Sequence, residues 1–327
     1  MTKLLLATLG LAASLALLAG CESVADIDPP AHTPRLSVAY TLSNQPLSAA
    51  YTRFFTERPL YVSTSHSITE ISRLVGRADA TVALYDEAGQ VVEQFRPRGR
   101  QGYNGADSTQ GYYVPVRGYV GQPGRTYTLR ASAPGVADTQ ATITLPAPTT
   151  VVDGSYSLQT GPYNYQYQGR LKFSILDNAA TTDYYLAYAR ALDANGQPCG
   201  DVWQDYSGRT TDGPDIRLTR FDLSLPPTDR GHYPVSDAGR QGQRLEYGGD
   251  TYISLYGGNG PGSSKPAYIE VIVSTIPAST YDFYQSVQRY YDVEGNPFAE
   301  PAPLHSNIQG GYGLFGGATD VSLRIKL

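Results

Sequence analysis

Short runs of alternating apolar and polar residues, closed by glycine, proline or asparagine, recur from residue 35 onward. They constrain the fold more than any other feature, because side chains on a strand alternate between its two faces and such a run buries one of them. Leu36, Val38 and Tyr40 alternate first, then Leu60, Val62 and Thr64. Thr81 to Tyr85 and Val91 to Phe95 flank Asp86-Glu87-Ala88-Gly89-Gln90, a hairpin signal with glycine placed for positive φ. Tyr112 to Tyr119, Thr126 to Ala131 and Thr139 to Leu145 complete about seven strands. Seven short strands with turns between them predict an immunoglobulin-like β-sandwich over residues 35–148. Ser67-Ile68-Thr69-Glu70 has capping-box spacing and predicts one short helix among them.

Pro146-Ala147-Pro148 begins a linker, and residues 149–327 read as a second β-rich domain, a sandwich or barrel-like. Tyr163, Tyr165 and Tyr167 alternate on a strand that runs toward Phe173 and Ile175. Asp183 to Ala191 supplies a partner, and Asn195-Gly196 is a type I′ turn signal. Further strands are expected at 216–225, 251–256 and 267–274. One helix stands out near the C-terminus. Pro277 precedes Ser279 as N-cap, and Phe283, Tyr284, Val287, Tyr290 and Tyr291 fall at helical spacing. Val321 to Leu327 alternates again as a half-buried strand. The fold class is therefore mainly β.

The N-terminus carries an address. Lys3 gives a positive start, and Leu4 to Leu18 form an apolar run too short to span a bilayer, which needs roughly 20 residues. Leu18-Ala19-Gly20-Cys21 follows, with small residues before a cysteine. This resembles a bacterial lipoprotein signal: residues 1–20 are removed and Cys21 is acylated, tying the chain to a membrane. Each buried methylene contributes about 0.8 kcal/mol, so two or three acyl chains hold where one is marginal. Residues 21–34, with Glu22, Asp26, Asp28, Pro29, Pro30 and Pro34, read as a tether. Without Lys3 the balance is 24 basic against 30 acidic residues, and no basic cluster marks a nucleic-acid surface.

With Cys21 spent on lipid, Cys199 has no disulfide partner. Gly196-Gln197-Pro198-Cys199-Gly200 reads as a turn rather than the setting of a thiolate nucleophile. Tyrosine is abundant, 27 against 8 Phe and 1 Trp. Such rings suit half-buried sheet faces with wet hydroxyls, and also interfaces and sugar platforms.

Asn296-Pro297-Phe298-Ala299-Glu300-Pro301, then Ser306-Asn307-Ile308 and Gly311-Tyr312-Gly313-Leu314-Phe315-Gly316-Gly317, close the chain. This pattern resembles a family of Bacteroidota lipoproteins known as domain of unknown function 4249. Pro123-Gly124-Arg125-Thr126-Tyr127-Thr128-Leu129 with Ala133-Pro134-Gly135 is similar to the element closing that family's first domain. The resemblance implies an outer-membrane lipoprotein, often beside TonB-dependent transporters, and transfers no catalytic residue. Read physically, the glycine run permits close backbone approach, with Tyr312 and Phe315 pinning it into a core; a glycine-lined ligand loop is the other reading.

The chemistry is sparse. His32, His66, His232 and His305 form no zinc-ligand pair, and no nucleophile elbow is present. Asp193-Ala194-Asn195-Gly196 lacks the closing acid of a calcium loop and reads as a hairpin. No cofactor or metal is expected. Asp201, Asp205, Asp212 and Asp215 cluster around Trp203 and Tyr206, the best polar-aromatic patch in the chain. An ordinary solvated loop would look the same; Trp203, Tyr206, Asp201 and Asp205 are the ligand-binding candidates. The expected function is non-enzymatic: an accessory ligand-binding or docking partner of a TonB-dependent transporter, facing periplasm or cell surface. A free-standing glycan-binding or adhesive module, taking a small molecule or glycan, is the alternative, and a hydrolase with an unrecognised carboxylate pair is the third.

Overall fold

The computed structural model describes residues 31–48, 55, 58–67, 76–98, 111–159, 167–204, 215–219, 234–257, 264–293, 300 and 302–327. Cys21, most of the expected Ser67–Glu70 helix start, Tyr163, Tyr165, Asp205, Tyr206 and Asn296 to Ala299 lie outside them. The chain divides into two compact units, residues 1–33 with 66–72 and residues 34–65 with 73–327. All the described strands belong to the second.

Seven strands open it: β1 (Leu36–Ser43), β2 (Leu60–Thr64), β3 (Thr81–Tyr85), β4 (Val91–Pro97), β5 (Tyr112–Pro115), β6 (Thr126–Ser132) and β7 (Thr139–Thr144). Their order is β7-β6-β3-β4-β5-β2-β1, each pair antiparallel. Inward residues from both halves of that order share one core: Val38 and Tyr40 of β1, Leu84 of β3, Leu129 of β6, Ile143 of β7. The two ends of that order therefore share one core, and they do so within a single hydrogen-bonded sheet rather than as a separate immunoglobulin-like domain of two sheets. Tyr127, near the start of β6, makes a tyrosine corner: its hydroxyl accepts the Gln122 N–H at 2.9 Å.

Local chemistry sets the turns. Asp86 accepts the N–H groups of Ala88 and Gln90, and Gly89 takes φ +73°, as the hairpin signal requires. Residues 112–119 read as one strand, yet β5 stops at Pro115. Buried Glu93 is the reason: its carboxylate shares the Val116 N–H with the Gln94 carbonyl of β4 and takes the N–H groups of Arg117 and Tyr119, where the ladder ends.

The second half holds β8 (Thr150–Gln159), β9 (Gln168–Leu176), β10 (Tyr184–Leu192), β11 (Pro198–Gln204), β12 (Val235–Ser236), β13 (Arg244–Leu255), β14 (Tyr268–Ile276), α1 (Ala278–Val293) and β15 (Tyr312–Lys326). The order is β15-β14-β10-β11-β13-β9-β8, with β12 also pairing β10. At its far end β8 meets β15 side-on: a Cβ at Gly154 would stand 2.7 Å from Ile325 Cδ1. The strands thus curl, barrel-like, around a core that includes Phe173, Tyr185, Val202, Tyr247 and Val271. Strand β8 was not expected, since most of its side chains are exposed. Strand β13 begins seven residues before its expected start, running straight through Gly248-Gly249. Of the strand expected at 216–225, the described residues form a single bridge, Leu218 to Ala187, while Ile216 and Leu218 enter the core.

Strand β15 joins the halves. Residues 312–318 pair parallel with β1, and residues 319–326 pair antiparallel with β14. The fifteen strands among the described residues thus form one continuous sheet. From Tyr312 the glycine-rich run is strand, with Phe315 buried in the first core; Tyr312 is 45 % exposed, outside that core, with the Arg35 guanidinium over its ring. Gly313 explains why no other residue would serve, with φ +107° and Val38 O only 2.1 Å from where a Cβ would stand.

Helix α1 covers the outer face of β10 and β14, where Tyr284 packs with Leu186, Tyr188 and Ile272. Its cap lies two residues before the expected one: the Pro277 carbonyl accepts the N–H groups of Thr280 and Tyr281. Ser279 therefore lies inside the first turn, where its hydroxyl accepts from Asn307 Nδ2 at 3.4 Å. Tyr290, expected on the apolar stripe, is exposed. No described helix is long and apolar enough to cross a membrane.

Candidate functional site

The outward face of the second half carries the candidate residues that are described. From Gly200 onward the positions of β11 alternate: Gly200, Val202 and Gln204 are buried, while Asp201 and Trp203 are half-buried on the other face, and Cys199, also buried, precedes them where the register with β10 shifts. Trp203 stands opposite Tyr252 of β13, and Asp201 opposite Ser254. The Asp201 carboxylate accepts the Tyr256 hydroxyl at 2.5 Å. Asp205 and Tyr206 lie outside the described residues, and so does Asp212. Asp215 sits elsewhere, accepting Arg240 Nη1 at 2.5 Å and the Glu246 N–H at 3.0 Å.

Register extends this face into a charged row that sequence reading missed. Arg324, Glu270, Arg190, Asp201 and Ser254 are direct cross-strand partners over β15, β14, β10, β11 and β13. Glu270 holds Arg190 at 2.7 Å and Arg324 at 3.7 Å. Opposite charges placed opposite one another stabilise the pairing. Beside the row lies the Trp203–Tyr252 pair. The combination is an aromatic platform edged by fixed hydrogen-bonding groups, able to hold a ligand with both apolar and hydroxylated faces. The only sequence signal for the row was alternation in each strand; which positions align depended on partner choice.

A second concavity, a cleft of about 550 Å³, lies on the first half among Tyr85, Arg130, Asp138, Gln140 and Gln309. The Arg130 guanidinium lies 4.6 Å from the centre of the Tyr85 ring.

Cys199 is not in a turn. The turn is Asp193 to Gln197, with Asp193 Oδ1 accepting the N–H groups of Asn195 and Gln197 and Gly196 at φ +76°. The chain re-enters a strand at Pro198, so Cys199 faces the core. Burial, with Asp193 adding to it, pushes its thiol up to about 11. That is the opposite of what a nucleophilic thiolate needs.

Two buried polar clusters complete the inventory. Arg58, 2 % exposed, donates to both oxygens of Asp320 and to Ser274 Oγ, and lies 3.7 Å from the centre of the Phe55 ring. Ser43 and Ser274 also donate to Asp320, and Asn44 exchanges two hydrogen bonds with its backbone. This network is sealed where β15 passes from β1 to β14, and its chemistry is structural. The other cluster is Asp177, Asp183 and Asp237 at one end of the curled sheet of the second half. Burial, and then the Asp177 and Asp183 carboxylates, raise the Asp237 carboxyl above its ordinary value, against an Asp183 N–H that lowers it.

The family model described as "Domain of unknown function (DUF4249)" matches residues 27–324. No curated protein and no solved structure matches the chain.

Proposed function

The chain belongs to the family described as domain of unknown function 4249, and on that footing we propose that it is an outer-membrane lipoprotein that binds rather than catalyses. In this reading Cys21 carries the acyl chains, residues 21–34 are the tether, and the β-rich body is held at the membrane, facing periplasm or cell surface. Its work is that of an accessory to a TonB-dependent transporter, taking up a ligand or docking on the barrel. The observation that carries the binding role is the outward face of β11 and β13, where Asp201 and Trp203 meet Tyr252 and Tyr256. The Arg58–Asp320 network and the Cys199 thiol sit in the interior and support packing rather than turnover.

Purification from mildly solubilised membranes tests this. Wild-type protein should recover a β-barrel transporter, a Cys21→Ala variant should leave the membrane fraction, and Trp203→Ala should weaken recovery or ligand uptake without unfolding the chain. Recovery with no barrel partner would count against the transporter role. A glycan-binding module is the second reading, favoured by the Trp203–Tyr252 pair. Binding to a glycan array that Trp203→Ala abolishes, with no barrel recovered, would decide for it. Protease shaving of intact cells separates the two faces of the membrane.

A further inference from the structure

We infer that Asp177, Asp183 and Asp237 bind a hard divalent cation of the calcium class at one end of the curled sheet of the second half. Asp177 follows the last residue of β9, Asp183 precedes β10, and Asp237 follows β12. One carboxylate oxygen from each lies within 4.8 Å of the others. Calcium–oxygen distances are about 2.3–2.6 Å, so oxygens this close span no more than two such bonds end to end. All three donors are carboxylate oxygens, which suits a hard ion and not zinc.

The independent pointer is Asp237. It is 0 % exposed, and its Oδ1 accepts no hydrogen bond from any described residue. Its Oδ2 is taken by the Asp183 N–H at 2.9 Å. The neighbouring carboxylate is already oriented: Asp177 accepts the Tyr185 hydroxyl at 2.5 Å and the Gly242 N–H at 2.7 Å. Asp183 is held by Thr181 Oγ1 at 2.6 Å and is only partly buried, which leaves the site a side facing solvent. A fully buried carboxylate with one oxygen lacking a donor, grouped with two more carboxylates, is costly unless a cation or a shared proton lies between them.

Calcium alone is the probe, added to the full chain in detergent after EDTA treatment. Calcium at about 1 mM, the range of extracellular modules, should raise Tm by about 2 °C or more and titrate as one site. Asp183→Asn should weaken binding by about tenfold or more while the fold stands, and Asp237→Asn should abolish the shift. Asp292→Asn, an exposed carboxylate on α1, should leave it intact. If Asp237→Asn fails to fold, Asp183→Asn decides. A wild-type chain that ignores calcium while Asp237→Asn gains stability would assign a shared proton and overturn the site. An equal calcium shift in Asp183→Asn, or magnesium acting as strongly as calcium, would overturn it too.

Discussion

Cys199 sets the terms at the scale of a single residue. Its thiol loses a proton near 9 in the unfolded chain and near 11 in the folded one. The folded pKa is raised, so the thiol's contribution to stability is full below pH 9 and is lost as pH rises toward 11. Two pH units also mean roughly a hundredfold less thiolate at pH 8. Native protein should therefore react with a maleimide at pH 8 at least about a hundredfold more slowly than denatured protein. Equal rates would place the sulfur at the surface. Its residue type was plain in the sequence, but its setting was misread: Pro198 before it suggested a continuing turn, whereas the hairpin had already closed at Gln197.

Among the elements, β15 shows how a sequence pattern can mislead about its own cause. Gly311 to Gly317 read as a flexible segment pinned by aromatics, yet from Tyr312 onward it is strand paired residue by residue with β1. At Gly313 glycine is needed because the two backbones come too close for a Cβ, and at Gly316 and Gly317 because side chains already fill the space. Gly313→Ala should destabilise the chain by more than about 1 kcal/mol, since the new methyl meets Val38 O and the backbone keeps positive φ. Gly89→Ala, also at positive φ but with open space around it, should cost less. Urea midpoints of the two variants provide the comparison. The helix tells a parallel story. Its periodicity was legible, but its first turn was not, because Pro277 caps with a backbone carbonyl that any residue possesses.

For the whole molecule, the consequence of β15 is shared stability. One strand contributes Phe315 to the first core and Ile325 to the second. Between them Asp320 receives Arg58 in a buried ion pair. Removing one partner of such a pair leaves the other charge buried, at a cost of about 3–5 kcal/mol. Asp320→Asn should therefore lower stability by about that amount. It should also shift hydrogen exchange in β1 and β14 together, because both strands hold the segment it anchors. A change confined to one half would show that the cores unfold independently.

The sequence by itself determined where most strands and hairpins form, because alternation, turn glycines and Asx turns are local and leave a mark every few residues. It did not mark β11 as a strand: Gly196 to Gly200 reads as a turn and Asp201 and Trp203 as part of a loop patch, yet both stretches feed one strand. Only the tertiary structure decided which strands become neighbours, and with that every long-range site. Arg58 and Asp320 are 262 positions apart, and Asp177 and Asp237 lie on opposite sides of three strands. No local period links such residues. Their partnership follows from the order of strands in the sheet, which the cores select by what they can bury.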